Sequence, residues 1–411
     1  MTPQPRPAPA PQAILCADWG KNIRKRAVFV ADVFSRSVRR AAPRAWSLAT
    51  VLEEANTRTG CGPVLATFDL PLSAPASYLA AAARVPSWGS ASTFIDFLPR
   101  ACSTPHFFEI TKSPLDWRVE QPFFAVPPGP GGLTAYFEAA TKQGVDLLRT
   151  IDRTTRAKTM FATSGIPGTV GSSACDLWRE LGPRLTTDRE FALWPFEGDL
   201  PTLLESHAIV LGEIYPRAAY ATALLDGPPS ERPRLAVAKT KPEVRREFMA
   251  RLRQTEWVRQ YEVTIENVIE AEANEDDFDA CVTAAALLRC VLEEQPLTPP
   301  GRVSDQIEGG ILGTGTINLD LPEKTFARSR QKARNPRPRH QTAAAAPARH
   351  NPRNLACPIP GCDMVFSGGR VGWDGHVGSV RIHPQWHSTI DLPEARRRQF
   401  KTEFPEFFGS S

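Results

Sequence analysis

The chain has 411 residues, 42% of them hydrophobic and 23% charged, a soluble globular balance that excludes wholesale disorder and exceeds the length of one ordinary domain. No run of about 18 apolar residues marks a membrane span, and the Pro-, Gln- and Ala-rich start lacks the apolar core of a secretory signal. Eight cysteines in a chain this long are not a disulfide scaffold, so the expected location is a reducing cytoplasm; the net charge of +4 says little until its distribution is known.

Residues 1–12 read as a disordered Pro-rich tail, and residues 13–320 as one α/β domain. Ala13 to Asp18 is a short apolar run ending in an acid, the pattern of a buried strand. A basic turn, Lys21 to Lys25, leads to a Val- and Phe-rich second strand over Arg26 to Phe34, and a third strand is expected around Val38 to Trp46. Thr50 and Glu53 have capping-box spacing for a helix that Gly60 can end. Pro63 to Leu72 is another buried strand with an acid near its end. Ser73 to about Gly132, rich in Pro and aromatics, reads as an elaborated insertion. Gly165 to Ser173 is a Gly/Ser-rich turn before a helix; it lacks the Lys of a P-loop, so it reads as a plain loop rather than a phosphate cradle. His207 to Ile214 is a further strand, and Asn274 to Leu292 an amphipathic helix whose acidic amino end suits the helix dipole. Cys16, Cys61, Cys102, Cys175, Cys281 and Cys290 lack metal spacing and read as packed thiols.

The order of three strands, a helix, a strand, an insertion, a strand and a helix is that of a ribonuclease H-like mixed sheet with flanking helices. Asp18, Asp69 and Glu213 fall at strand ends, where an open α/β sheet gathers its functional groups. Asp279 lies in the following helix, with Asp276 one turn before it and facing the same way. Carboxylates gathered in one crevice repel one another unless cations neutralise them, and two Mg²⁺ or Mn²⁺ ions so held can activate water against a phosphodiester. The plainer reading is that these acids end strands in turns and cap a helix. Lys21, Lys25 and Arg26 are candidates for phosphate contact, although a charged hairpin turn is the commoner explanation.

These residues carry a resemblance. Ala17-Asp18-Trp19-Gly20 with Lys25-Arg26, Phe68-Asp69-Leu70-Pro71-Leu72, Pro195-Phe196-Glu197-Gly198, Glu213-Ile214-Tyr215-Pro216, Asp276-x-x-Asp279-Ala280 and Glu308-Gly309-Gly310-Ile311-Leu312 resemble, in order, the motifs of the predicted-nuclease family numbered 429 among domains of unknown function. The resemblance covers most of residues 13–319. It implies a ribonuclease H-like fold with an acidic, divalent-metal site, as in RuvC-type resolvases. Family members often carry His where this chain has Asp276.

From Lys324 to Cys362 there are nine basic residues and no acidic one, so the rest of the chain is net negative. Residues 321–353 therefore read as a basic disordered linker, with Arg328, Arg330, Lys332 and Arg334 suited to sequence-independent phosphate contact. Residues 354–393 form a small zinc-finger-like unit, followed by an Arg- and Phe-rich tail over 394–411. Cys357, Cys362, His376 and His383 supply the four ligands of a tetrahedral structural Zn²⁺, with His387 the alternative to His383. Such a unit can bind nucleic acid or a protein, or simply fold.

The leading expectation is a metal-dependent nuclease acting on DNA or RNA through a two-metal site. The alternatives are a non-catalytic nucleic-acid- or protein-binding adaptor on the same scaffold, and an ATP-using enzyme of the broad fold group.

Overall fold

The structure, a computed structural model, describes residues 10–326 apart from 90, 92, 130, 167, 187, 188 and 298–304, and beyond them only 355–356, 365–366 and 402. The chain divides into two compact units, residues 1–330 and 331–411.

The first unit is built on one seven-stranded sheet. Its strands are β1 (Ala13–Asp18), β2 (Ala27–Asp32), β3 (Ser37–Arg40), β4 (Val64–Phe68), β5 (Ala192–Leu193), β6 (Ile209–Glu213) and β7 (Thr264–Ile265), in the spatial order β7-β3-β2-β1-β4-β6-β5. Only β2 runs against the others. β1 is buried on both sides, which explains its unbroken apolar run: Ala13, Leu15 and Ala17 enter one core, Ile14 and Cys16 the other.

The first core lies under α1 (Leu48–Asn56) and the long insertion between β4 and β5. α1 buries Leu48, Val51, Leu52 and Ala55, a single helical stripe. The insertion contributes α2 (Phe94–Cys102), α3 (Gly171–Arg184) and an aromatic cluster in which Tyr78–Phe161 pack tilted and Trp88–Phe97 and Phe94–Trp178 edge-to-face, at centroid distances of 4.9, 5.3 and 5.2 Å. The second core lies under α4 (Pro216–Leu224), α5 (Pro242–Leu252) and α6 (Glu275–Leu292). α6 rests against β1, β2, β3 and α4. It is therefore buried nearly all round from Asp277 to Cys290 rather than amphipathic.

Other expectations shift in detail. The third strand stops at Arg40, because Pro43 cannot donate to a ladder and the chain turns to bury Trp46. The cap of α1 is Ser47, whose side chain accepts from the Thr50 N–H while Thr50 bonds back to Ser47. β5 and β7 have only two residues each, too short for an alternation pattern to show. The domain boundaries also widen. Gln12 bonds to Pro63 and Val33, and at the other end Lys324–Thr325 pairs with Leu235–Ala236 while Phe326 is buried against Phe248. Cys16, Cys175, Cys281 and Cys290 are packed thiols, whereas Cys61 is exposed and Cys102 partly so. No helix among the described residues is long and apolar enough to cross a membrane.

In the second unit, Leu355–Ala356 pairs antiparallel with Val365–Phe366. Cys357, Cys362, His376, His383 and His387 lie outside the described residues, as do Arg328, Arg330, Lys332 and Arg334.

Candidate functional site

The parallel register of β1 and β4 places Asp18 and Asp69 side by side. Ala17 pairs with Phe68, and the Asp69 N–H donates to the Ala17 carbonyl at 2.9 Å. Strand alternation turns both acids toward the second core. α6 crosses that face, so Asp279, 0% exposed in its second turn, meets them. Asn274 caps α6 by accepting from the Asp276 N–H at 3.1 Å. Asp277 is a structural acid, bound by Arg40 of β3 at 2.6 and 3.0 Å. Asp276, half-buried, is left beside Asp279.

The four acids share one electrostatic environment. Burial, then the charges of Asp279 and Asp69, pushes the Asp18 carboxyl well above the usual carboxylate range. Asp69 is pushed up to about 7, by burial first and against the opposing pull of Lys239. Burial also raises Asp276 and Asp279, again opposed by Lys239. Each carboxylate therefore resists ionisation because burial removes its hydration and neighbouring acids repel its charge, with Lys239 opposing both.

Lys239 is the cation that the sequence reading missed. Its ammonium bonds to Asp279 Oδ2, while the Tyr220 hydroxyl donates to Asp279 Oδ1. Burial alone would lower the Lys239 pKa, but Asp279 and Asp18 outweigh it and hold the ammonium charged. Its only local signal was a lysine closing the apolar run Leu235 to Ala238.

Glu213, expected to join this group, borders the same cavity as Asp69 and Asp279, and its charge reaches Asp69, but its carboxylate is engaged from the first-core side of the sheet. It is paired in register with Phe68, one residue before Asp69, so alternation turns it toward the first core. There Arg149, 1% exposed, grips it at 2.6 and 2.7 Å, and bonds Asp152 and Ser73 as well. The Leu72 N–H adds a bond at 3.1 Å. Burial still raises the Glu213 carboxyl, with the Arg149 charge acting against it. Glu308 joins the network by accepting from the Ala76 and Thr150 N–H groups at 2.9 and 2.8 Å. Gly309 follows at a φ of +74°, and a Cβ there would meet Ser73 at 2.6 Å, so only glycine fits. The Glu308–Leu312 stretch is thus a structural closure beside β6, where Leu312 N–H bonds to the Glu213 carbonyl at 2.8 Å.

Arg26 is likewise a correction. Lys21 and Lys25 are exposed, but Arg26 is 5% exposed, stacked 4.1 Å over Trp19 and bonded to the Gly20 and Trp46 carbonyls at 2.9 and 2.7 Å. It holds the turn together and is not available to a phosphate backbone. Glu197 of the Pro195–Gly198 motif is also local, bound by Arg189 at 2.6 and 2.9 Å.

A cavity of about 460 Å³ opens beside the acids. Asp69, Asp279 and Lys239 line it together with Arg149, Asp152 and Glu213, and Arg156, Lys158 and Arg217 add positive charge; Gly168 and Thr169 of the Gly/Ser-rich loop also border it. Among the described residues, no three His, Cys, Asp or Glu side chains form a ready-made metal shell. The donor chemistry of Asp18, Asp69, Asp276 and Asp279 nevertheless suits a hard divalent cation, being carboxylate oxygen throughout and under-neutralised.

Comparison with protein-family models, with curated proteins and with solved structures found no match.

Proposed function

We propose that this chain is a divalent-metal-dependent nuclease, hydrolysing nucleic-acid phosphodiester bonds at Asp18, Asp69, Asp276 and Asp279 on a ribonuclease H-like domain. The observation that carries the reading is the convergence of four carboxylates around Lys239, beside a cavity that Arg156, Lys158 and Arg217 also line. The fold assignment draws support from the order β3-β2-β1-β4-β6 with β2 alone reversed, and from the strand-end positions of motifs that resemble those of the predicted-nuclease family.

Asp18 and Asp69 would hold Mg²⁺ or Mn²⁺ with help from Asp276, while Asp279 is engaged by Lys239 and Tyr220. Such an ion supplies Lewis-acid activation of water and neutralises charge on the phosphate. Arg156 and Arg217 draw an anionic backbone into the cavity, and exposed Lys21 and Lys25 extend that attraction beside Asp18. The fully paired Arg149–Glu213 network holds the ends of β4 and β6 rigid beneath the site. In the second unit, Cys357, Cys362, His376 and His383 would bind a structural Zn²⁺, and the basic segment with Arg328, Arg330, Lys332 and Arg334 would hold nucleic acid by its phosphates.

The test is a cleavage panel of single-stranded, duplex and branched DNA and RNA with Mg²⁺ or Mn²⁺. Asp18→Asn should abolish cleavage, a loss of at least about a hundredfold. Equal cleavage by that variant sinks the proposal. A non-catalytic adaptor has one observation in its favour, since both Asp279 oxygens are bonded within the protein. Salt-sensitive binding of nucleic acid without turnover under any divalent metal would establish that reading instead.

A further inference from the structure

The surroundings of Asp279 carry a second step, which rests on the metal-dependent reading above. Asp279 is wholly buried, and each of its oxygens has a partner, the Tyr220 hydroxyl on Oδ1 and the Lys239 ammonium on Oδ2. Lys239 lines the same cavity as Asp69 and Asp279, so its ammonium lies on the side of Asp279 open to Asp69, and its charge also reaches Asp18. A divalent ion bridging Asp279 to Asp18 would have to share that place with a fixed positive charge, and like charges at contact distance repel.

Lys239 is not a loose surface lysine that could swing aside at no cost. Its carbonyl accepts from Arg245, which is buried and also bonds the Glu272 and Ala273 carbonyls at 2.9 and 2.7 Å, immediately before α6. The root of the lysine is therefore tied to the segment that leads into the helix carrying Asp276 and Asp279. Its side chain is 36% exposed, and it lines the cavity together with Asp69 and Asp279. It is thus both fixed at its base and open to an arriving phosphate.

We propose that Lys239 is the second cation of this site: Asp18, Asp69 and Asp276 take a single divalent ion, and the Lys239 ammonium supplies at Asp279 the positive charge that another ion would bring. The role is one of charge placement beside the reacting phosphate. A lysine that served only to neutralise a buried acid would leave the metal stoichiometry unchanged on removal.

The experiment is equilibrium dialysis of the zinc-loaded, full-length protein against Mn²⁺, with sites counted as the ions lost on adding Asp18→Asn to each background. The wild type should bind one such ion, Lys239→Arg one, and Lys239→Ala two. Lys239→Ala combined with Asp279→Asn should return to one, since the second ion loses its ligand. If Lys239→Ala does not fold without metal, its folding should be restored by Mn²⁺ with two ions taken up per folded chain. Two ions in the wild type, or one in folded Lys239→Ala, overturns the inference and leaves the nuclease reading standing. No Asp18-dependent ion in either protein overturns both.

Discussion

The two faces of the sheet treat buried acid in opposite ways. On the first, Glu213 and Asp152 meet one guanidinium whose geometry satisfies both carboxylates, and every member of the network is bonded within the protein. On the second, Asp18, Asp69, Asp276 and Asp279 face chiefly the ammonium of Lys239, with Lys25 acting on Asp276 as well. Arg149 and its acids are a completed structural joint, whereas the carboxyls of the second group stay raised by burial and by one another. A carboxylate's position at a strand end does not distinguish these cases; the cations around it do.

The largest effect is expected at Arg149. Arg149→Met leaves Glu213 and Asp152 buried without a counter-charge and should destabilise the first unit by about 3–5 kcal/mol, read by urea unfolding. A loss within about 0.5 kcal/mol would show that the network is not a structural joint.

The opposite sign is expected at Asp69. Its folded carboxyl titrates at about 7 against an ordinary value of 3.8, so between those limits the native state keeps a proton that the unfolded chain has released. Stability from this group is thus fully present below about pH 4 and is lost as pH rises through about 7. Asp69→Asn should flatten that decline and raise the stability at pH 8 by about 1–3 kcal/mol, measured by denaturant unfolding across pH without divalent ions. A variant less stable than wild type at pH 8 contradicts the picture of an under-neutralised face.

The smallest effects separate Arg26 from its neighbours in the charged turn. Arg26→Lys should cost about 1–2 kcal/mol through lost carbonyl bonds and stacking on Trp19, with the salt dependence of nucleic-acid binding unchanged. Lys21→Ala with Lys25→Ala should leave stability within about 0.5 kcal/mol and lower the salt slope. Reversal of these two outcomes would assign the phosphate contact to Arg26.

Much of the fold was legible along the chain. β1, β2, β4, β6 and α6 fall where continuous apolar runs and the Asn274-to-Asp277 helix start place them, because burial on both faces of a sheet and capping are local signals. Two-residue strands such as β5 and β7 carry no such signal and exist because a neighbouring strand offers them a ladder. At the site, Asp18, Asp69 and Asp279 were marked by their places on those elements.

What the amino-acid order determined by itself is therefore a list of buried segments with acids at their ends, and a net-negative first unit separated from a basic segment. Which acids act together was decided by tertiary structure. Register sent Glu213 to the face of Arg149, 64 residues away, and brought Lys239 to Asp279 across 40 residues. The physical reason is that side-chain direction in a sheet has a period of two residues, so a one-residue offset between neighbouring strands places a carboxylate on the opposite face. That offset is set by the pairing of β4 with β6, and no local run of residues records it.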